Sequence, residues 1–203
     1  MSDKIKRRYN RIAGVYDALE YPMEKMFSPW RAELLKECRG DTLEVGVGTG
    51  KNIPQYPGEV RLTGIDFSER MIAVARRKYG EWPGVKLLVM DAQQMDFDDN
   101  TFDTVVTSCV FCSVPDPVQG LKEIRRVCRK GAKILMLEHV RSNKRVIGPL
   151  MDVLNPVSLN IVGANINRRT YDNLLKAGFA KQDIRVQDVW LDIVKVFRIQ
   201  NNK

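Results

Sequence analysis

Apolar positions along this 203-residue chain follow two different spacings, and the change falls at Gly40. Before it, Ile5, Tyr9, Ile12, Tyr16 and Leu19 recur at steps of four and three, which predicts one amphipathic helix ending before Pro22. Phe27, Trp30 and Leu34 predict a second helix that stops at Arg39-Gly40. After it, short apolar runs at 42–47, 61–65, 85–89, 102–107 and 132–138 are separated by stretches of helical character. Ser68 is placed to cap a helix over 69–79, and Asp116-Pro117 opens one that runs to Arg129 before the Lys130-Gly131 turn. Strands and helices alternating in this way predict an α/β fold with a doubly wound, mostly parallel sheet, because a parallel neighbour is reached through a right-handed crossover.

The regularity fades after Glu138. Residues 146–167 carry a single charge, Asp152, and are interrupted by Gly148, Pro149, Pro156 and Gly163, so they read as an apolar lid or insertion and not as a membrane span. A helix over 170–177 ends at Gly178, and two closing strands are expected at 183–189 and 190–197, giving seven strands in all. The polar tail from Gln200 to Lys203 is expected to fray. No internal repeat is visible.

Composition narrows this further. The length and a 44% hydrophobic content suit one domain, divided as N-terminal helices (1–39), a ligand-binding core (40–145), the lid (146–167) and a closing helix with two strands (168–203). The net charge of +8 favours anionic partners. Of four cysteines only Cys109 and Cys112 approach a C-x-x-C spacing, without a second pair, so no metal site is expected and reduced thiols are. The N-terminus has no charged start followed by an apolar run, which predicts a cytoplasmic protein.

The candidate chemistry lies at Gly46-Val47-Gly48-Thr49-Gly50, directly after the first predicted strand. Glycines there let backbone approach a ligand closely. A dinucleotide loop needs a glycine or alanine where this chain has Lys51, and no Gly-Lys-Ser or Gly-Lys-Thr follows to make a phosphate loop. Asp66, twenty residues after Gly46 at the end of the second strand, is placed to accept both hydroxyls of a ribose, and Asp91, past the third strand, to accept an adenine amine. Each aspartate taken alone also reads as an ordinary cap or turn residue.

These motifs, with Gly64-Ile65-Asp66-Phe67-Ser68, Asp91-Ala92 and Leu121 to Gly131, resemble the class I S-adenosylmethionine-dependent methyltransferases. The opening Tyr9 to Asp17 is similar to that of the ubiquinone and menaquinone C-methyltransferases and the bacterial phosphatidylethanolamine N-methyltransferases. Cys109 to Asp116, Leu137 to Val140 and Asn167 to Thr170 resemble the branch with phospholipid N-methyltransferases and membrane-associated thiol methyltransferases. The resemblance implies a Rossmann-like fold and S-adenosylmethionine as cofactor, with S-adenosylhomocysteine as product. It implies that Gly46, Gly48 and Gly50 face the methionine part, with Glu44 in the same motif. It places Asp66 at the ribose, Phe67, Met71, Asp91, Ala92 and Gln93 at the adenine, and Ser108 and Cys109 beside the sulfonium. Tyr9 and Tyr16 close the pocket, and Asn52 and Ser68 complete the cofactor set.

Methyl transfer from a sulfonium is an in-line displacement, so alignment and exclusion of water matter more than catalytic side chains. Two residues are candidates for a catalytic part, Tyr16 and the only histidine, His139, which serves either as a base or as a hydrogen-bonding residue at a strand end. The expected acceptor is small or lipid-like. A phosphatidylethanolamine-type amine stands first, then a quinone-ring carbon, then a lipophilic thiol. A silent cofactor-binding scaffold is the alternative of another class. Nucleic acid is disfavoured, since no Asn-Pro-Pro-Tyr-like motif or RNA-binding module occurs. Lys4, Lys6, Arg7, Arg8 and Arg11 on the first helix, and Arg141, Lys144, Arg145, Arg168 and Arg169 around the lid, suit reversible contact with an anionic membrane, on the inner face of a bilayer.

Overall fold

The computed structural model describes residues 3–161 and 163–203. The ends of the expected basic segment, Met1 and Ser2, and one lid position, Val162, lie outside the described residues. Seven strands form one sheet: β1 (Asp41–Val45), β2 (Arg61–Asp66), β3 (Val85–Val89), β4 (Phe102–Ser108), β5 (Cys128–His139), β6 (Ile184–Trp190) and β7 (Val194–Gln200). Their order is β3-β2-β1-β4-β5-β7-β6. β1 to β5 pair in parallel, and only the β7 and β6 additions are antiparallel. The chain therefore reverses direction across the sheet between β1 and β4, and the carboxyl ends of those strands open onto a crevice there.

Helices cover both faces. On one, α3 (Tyr21–Leu35) and α4 (Glu69–Tyr79) bury Leu34, Leu35, Ile72 and Ala75 against Leu62, Val106 and Leu135. On the other, α5 (Pro117–Val127) and α7 (Thr170–Lys176) bury Leu121, Ile124 and Leu174 against Ile134, Met136 and Phe197. Capping follows the sequence: Ser68 Oγ accepts the Met71 N–H at 3.2 Å, and Asp116 Oδ1 accepts the Gln119 N–H at 3.0 Å.

Several expectations are corrected. The first amphipathic helix is two, α1 (Asp3–Ile12) and α2 (Tyr16–Leu19), broken at Ala13-Gly14-Val15, where glycine has poor helix propensity. The second apolar stripe starts earlier, at Tyr21. α5 ends at Val127 and β5 begins at Cys128, because Phe102 pairs with Cys128 before a register shift brings Thr104 opposite Lys133. The segment after Val146 is one continuous helix, α6 (Ile147–Ile161). Pro149 sits in its first turn, where no N–H is needed, and Pro156 lies inside it. The C-terminal hairpin turns at 191–193, where Leu191 adopts φ 49°, not at 189–190.

The tail is also not frayed. Asn201 is fully buried and its Nδ2 donates to the carbonyls of Arg125, Cys128 and Arg129, all at 3.1 Å, tying the chain end to the α5–β5 junction. All four cysteines are free thiols. Asn201→Ala leaves buried carbonyls unpaired and is expected to lower stability by about 1 to 3 kcal/mol in urea unfolding; a change below about 0.5 kcal/mol would show that the tail does not brace the junction.

Candidate functional site

The crevice is built at the carboxyl ends of β1, β2 and β4. Gly46 and Gly48 adopt φ of 74° and 55°, a region that side chains disfavour, and a Cβ on Gly46 would collide with the Val110 side chain. The glycine loop is braced from the neighbouring strand: Asp66 Oδ2 accepts the Gly48 N–H at 3.1 Å, and Oδ1 accepts the Ser68 N–H at 2.8 Å. Each oxygen keeps a free lone-pair direction. Burial pushes the Asp66 carboxyl up to about 6, although the two N–H groups favour its charge.

Tyr9, Tyr16, Gly46, Gly48, Asp66, Phe67, Met71, Ala92, Ser108 and Cys109 all line this cleft. The break at Gly14 is what lets both tyrosines do so: their rings lie 6.2 Å apart, and Tyr9 meets Phe67 edge-on at 5.6 Å. Tyr9 Oη and Ser113 Oγ are 2.8 Å apart. Burial holds both phenols well above the ordinary tyrosine range, so they stay neutral. Cys109, at φ 55°, is likewise a protonated thiol raised by burial.

Glu44 and Asn52 line an adjoining compartment that shares Tyr16, Gly46, Gly48 and Ser108 with the main cleft. Glu44 is 2% exposed, accepts from Asn52 Nδ2 at 2.6 Å and Tyr56 Oη at 3.0 Å, and is pushed up to about 7 by burial. Gly50, Ser68, Asp91, Gln93 and His139 are not among the residues lining either space. Gly50 packs against Tyr79 and Ile53, and Ser68 caps α4. Asp91 accepts the Gln93 N–H at 2.9 Å, while its neighbours Met90 and Ala92 form the wall. His139 is half-buried at the end of β5 with its pKa lowered by burial.

Sequence reasoning missed Arg31 and Glu20, which also line the adjoining compartment. Arg31 is 7% exposed, pairs with Glu24, and leaves its buried Nε without a partner. Its signal was available: Arg31 falls four residues after Phe27, on the buried stripe of α3. The far wall rests on Glu138, fully buried, whose carboxylate accepts Thr107 Oγ1 at 2.7 Å and the N–H groups of Val110 and Phe111 at 3.3 and 3.2 Å. Burial pushes it up to about 7. Glu138→Ala orphans those three donors and is expected to cost about 2 to 4 kcal/mol in chemical denaturation; a loss below about 1 kcal/mol would mean that the 109–111 turn is held elsewhere.

No group of three metal-ligating side chains occurs among the described residues. A methyltransferase domain family matches residues 43–136. A phosphatidylethanolamine N-methyltransferase of Cereibacter sphaeroides is 40% identical over 154 residues, 74% of each chain. A demethylmenaquinone methyltransferase of Staphylococcus aureus is 33% identical over 147 residues, 67% of this chain and 60% of that protein. In fold, the chain is similar to a DhpI–SAH complex (TM-score 0.73, 20% identity, 99% of this chain and 97% of that one). It is also similar to a possible histamine N-methyltransferase of Thermotoga maritima (TM-score 0.72, 22% identity, 95% and 98%). The chain belongs to the class I methyltransferases and is an enzyme that uses S-adenosylmethionine.

Proposed function

We propose that the protein N-methylates the amine headgroup of a phospholipid of the phosphatidylethanolamine type, docking reversibly on an anionic membrane to reach it. The observation that carries this reading is the outer face of α6. Leu150, Val153, Leu154 and Val157 on it, with Val146 just before it, are 46% to 77% exposed. Lys144 and Arg145 precede them, and exposed Lys4, Arg7 and Arg11 lie on α1, which Lys4 and Arg8 tie to the far end of α6. Exposed apolar groups flanked by cations suit an anionic interface. No helix among the described residues is long and apolar enough to cross a membrane. The 40% identity to a protein named for this reaction supports the same acceptor.

The cleft suits the cofactor. Asp66 would take the ribose hydroxyls on its free lone pairs, and Phe67, Met71 and Ala92 would flank the adenine. Arg31, with its orphaned Nε, and Glu20 give opposite charges to the adjoining compartment, which suits an α-amino acid end beside Gly46 and Gly48. When bound, the cofactor supplies an electrophilic methyl group. The chain's part is then to align the acceptor and exclude water, with Tyr9 and Tyr16 closing over the cleft as neutral rings.

Asp66→Ala should weaken cofactor binding by about 1.5 to 3 kcal/mol in calorimetry, and unchanged affinity would place the ribose elsewhere. Because the free Asp66 carboxyl titrates at about 6, binding that prefers the carboxylate should weaken as pH falls through that value, and Asp66→Asn should abolish the dependence. For the acceptor, radiolabelled methyl should pass to phosphatidylethanolamine in mixed vesicles; transfer to a demethylmenaquinone alone would overturn the assignment. Co-sedimentation should favour anionic over neutral vesicles at low salt, and Val153→Glu should reduce it.

A further inference from the structure

A second cavity, of about 300 Å³, opens beyond the carboxyl end of β5, away from the cofactor cleft. Val140, Tyr171 and Phe197 are among the nonpolar residues in its wall, and its charged rim carries Arg141, Arg168, Arg169 and Lys195 against Asp172. Three of the four cations have carboxylate partners. Arg141 pairs with Asp152 at 2.7 Å, Lys195 with Asp188 at 2.5 Å, and Arg169 reaches Asp172 only at 4.0 Å. Arg168 has none among the described residues. Its Nη2 donates to the Val114 carbonyl at 2.6 Å, and its Nε is buried without any partner.

Arg168 is half-buried, and its backbone is fixed beside the cavity, since the Arg168 carbonyl accepts the Arg141 N–H at 2.8 Å; a guanidinium without a counter-ion is thus kept at the cavity wall. We infer that this cavity is an anion site for a phosphate group, taken by Arg168 and Arg169 together. Two adjacent arginines match the non-bridging oxygens of a phosphomonoester or phosphodiester, which a guanidinium grips through paired donors. The inference deepens the phospholipid reading and rests on it only for the source of the phosphate. Val114, which Arg168 holds, is part of the cofactor cleft's own wall. A phosphate in the cavity would therefore sit behind the loop that borders the cleft, so a lipid that supplied it would lie beside the acceptor and not be the acceptor itself.

The test is calorimetry on the full chain with three probes: inorganic phosphate, glycerophosphoethanolamine and ethanolamine. Saturable binding of a phosphate-bearing probe and none of ethanolamine is expected. Arg169→Ala, at an exposed side chain, should weaken that binding by about tenfold while leaving S-adenosylhomocysteine affinity unchanged. Arg168→Lys, which keeps the charge but loses the fork, should weaken it as well. Tighter binding of the diester assigns the site to a lipid headgroup. Equal or tighter binding of inorganic phosphate keeps the anion site and assigns it to free phosphate, which separates its fate from that of the phospholipid reading. Absence of saturable binding for both phosphate probes, or binding indifferent to both substitutions, would overturn the inference.

Discussion

Three carboxylates buried at the carboxyl ends of parallel strands set the shape of everything around the cleft. Glu44 on β1, Asp66 on β2 and Glu138 on β5 are 2%, 8% and 0% exposed, and no ion pair among the described residues includes them. They persist because the following loops supply donors: Asn52 and Tyr56 to Glu44, the Gly48 and Ser68 amides to Asp66, Thr107 and the Val110 and Phe111 amides to Glu138. Burial still disfavours their charge, which is why they titrate at about 7, 6 and 7. The cost is local and the return is geometric. Each carboxylate pins an otherwise irregular loop, and when ionised the three bias the space between them toward a cationic ligand such as a sulfonium.

The cover over the cleft is fastened by charge instead of by apolar packing alone. Lys51 on the glycine loop lies 3.5 Å from Glu20 and 3.8 Å from Asp17, with its ammonium 5.0 Å from the Tyr16 ring centre. Asp17 also accepts Thr49 Oγ1 at 2.6 Å, and Asn10 reaches the start of α4 through Ser68 Oγ at 2.6 Å. At the other end, the Arg8 guanidinium donates to the Leu159 and Asn160 carbonyls in the last turn of α6, where a cation also meets the negative end of the helix dipole. The residue that argues against a dinucleotide, Lys51, thus serves to hold the N-terminal helices down. α6 and α1 are thus fastened together, and α1 carries Tyr9 into the cleft.

What the chain discloses in one dimension follows from the range of the interactions involved. The strands β1 to β5 are legible because each is a short segment with apolar residues at buried positions, bounded by turn residues, and Gly46, Gly48 and Asp66 are legible because their constraint is local backbone geometry. Arg31 has a local signal, its place four residues after Phe27 on the buried stripe of α3, but an arginine on a helix reads as surface until a partner compartment is known. Asn201 was hidden for the same reason: a polar tail looks frayed unless three carbonyls from another element converge on it. The prolines and glycines of α6 signal irregularity, yet Pro149 falls where a helix tolerates it and Arg8 satisfies the far end, so a distant side chain overrides a local rule.

The residues that line the main cleft do not by themselves name an acceptor. The glycine loop, Asp66 and the wall of Phe67, Met71 and Ala92 lie in the stretch 43–136 that a general methyltransferase domain family matches. Relatives named for a phospholipid amine and for a quinone ring are 40% and 33% identical to this chain, so a shared core does not discriminate between such acceptors. The features outside that stretch are the exposed face of α6, the basic residues of α1, and the cavity at Arg168 and Arg169. The exposed face of α6 and the basic residues of α1 have the chemistry of a surface for an anionic membrane, where a lipophilic quinone resides as well as a phospholipid. Of the three, only the cavity at Arg168 and Arg169 carries a chemistry that would tell a phosphate-bearing molecule from a neutral ring.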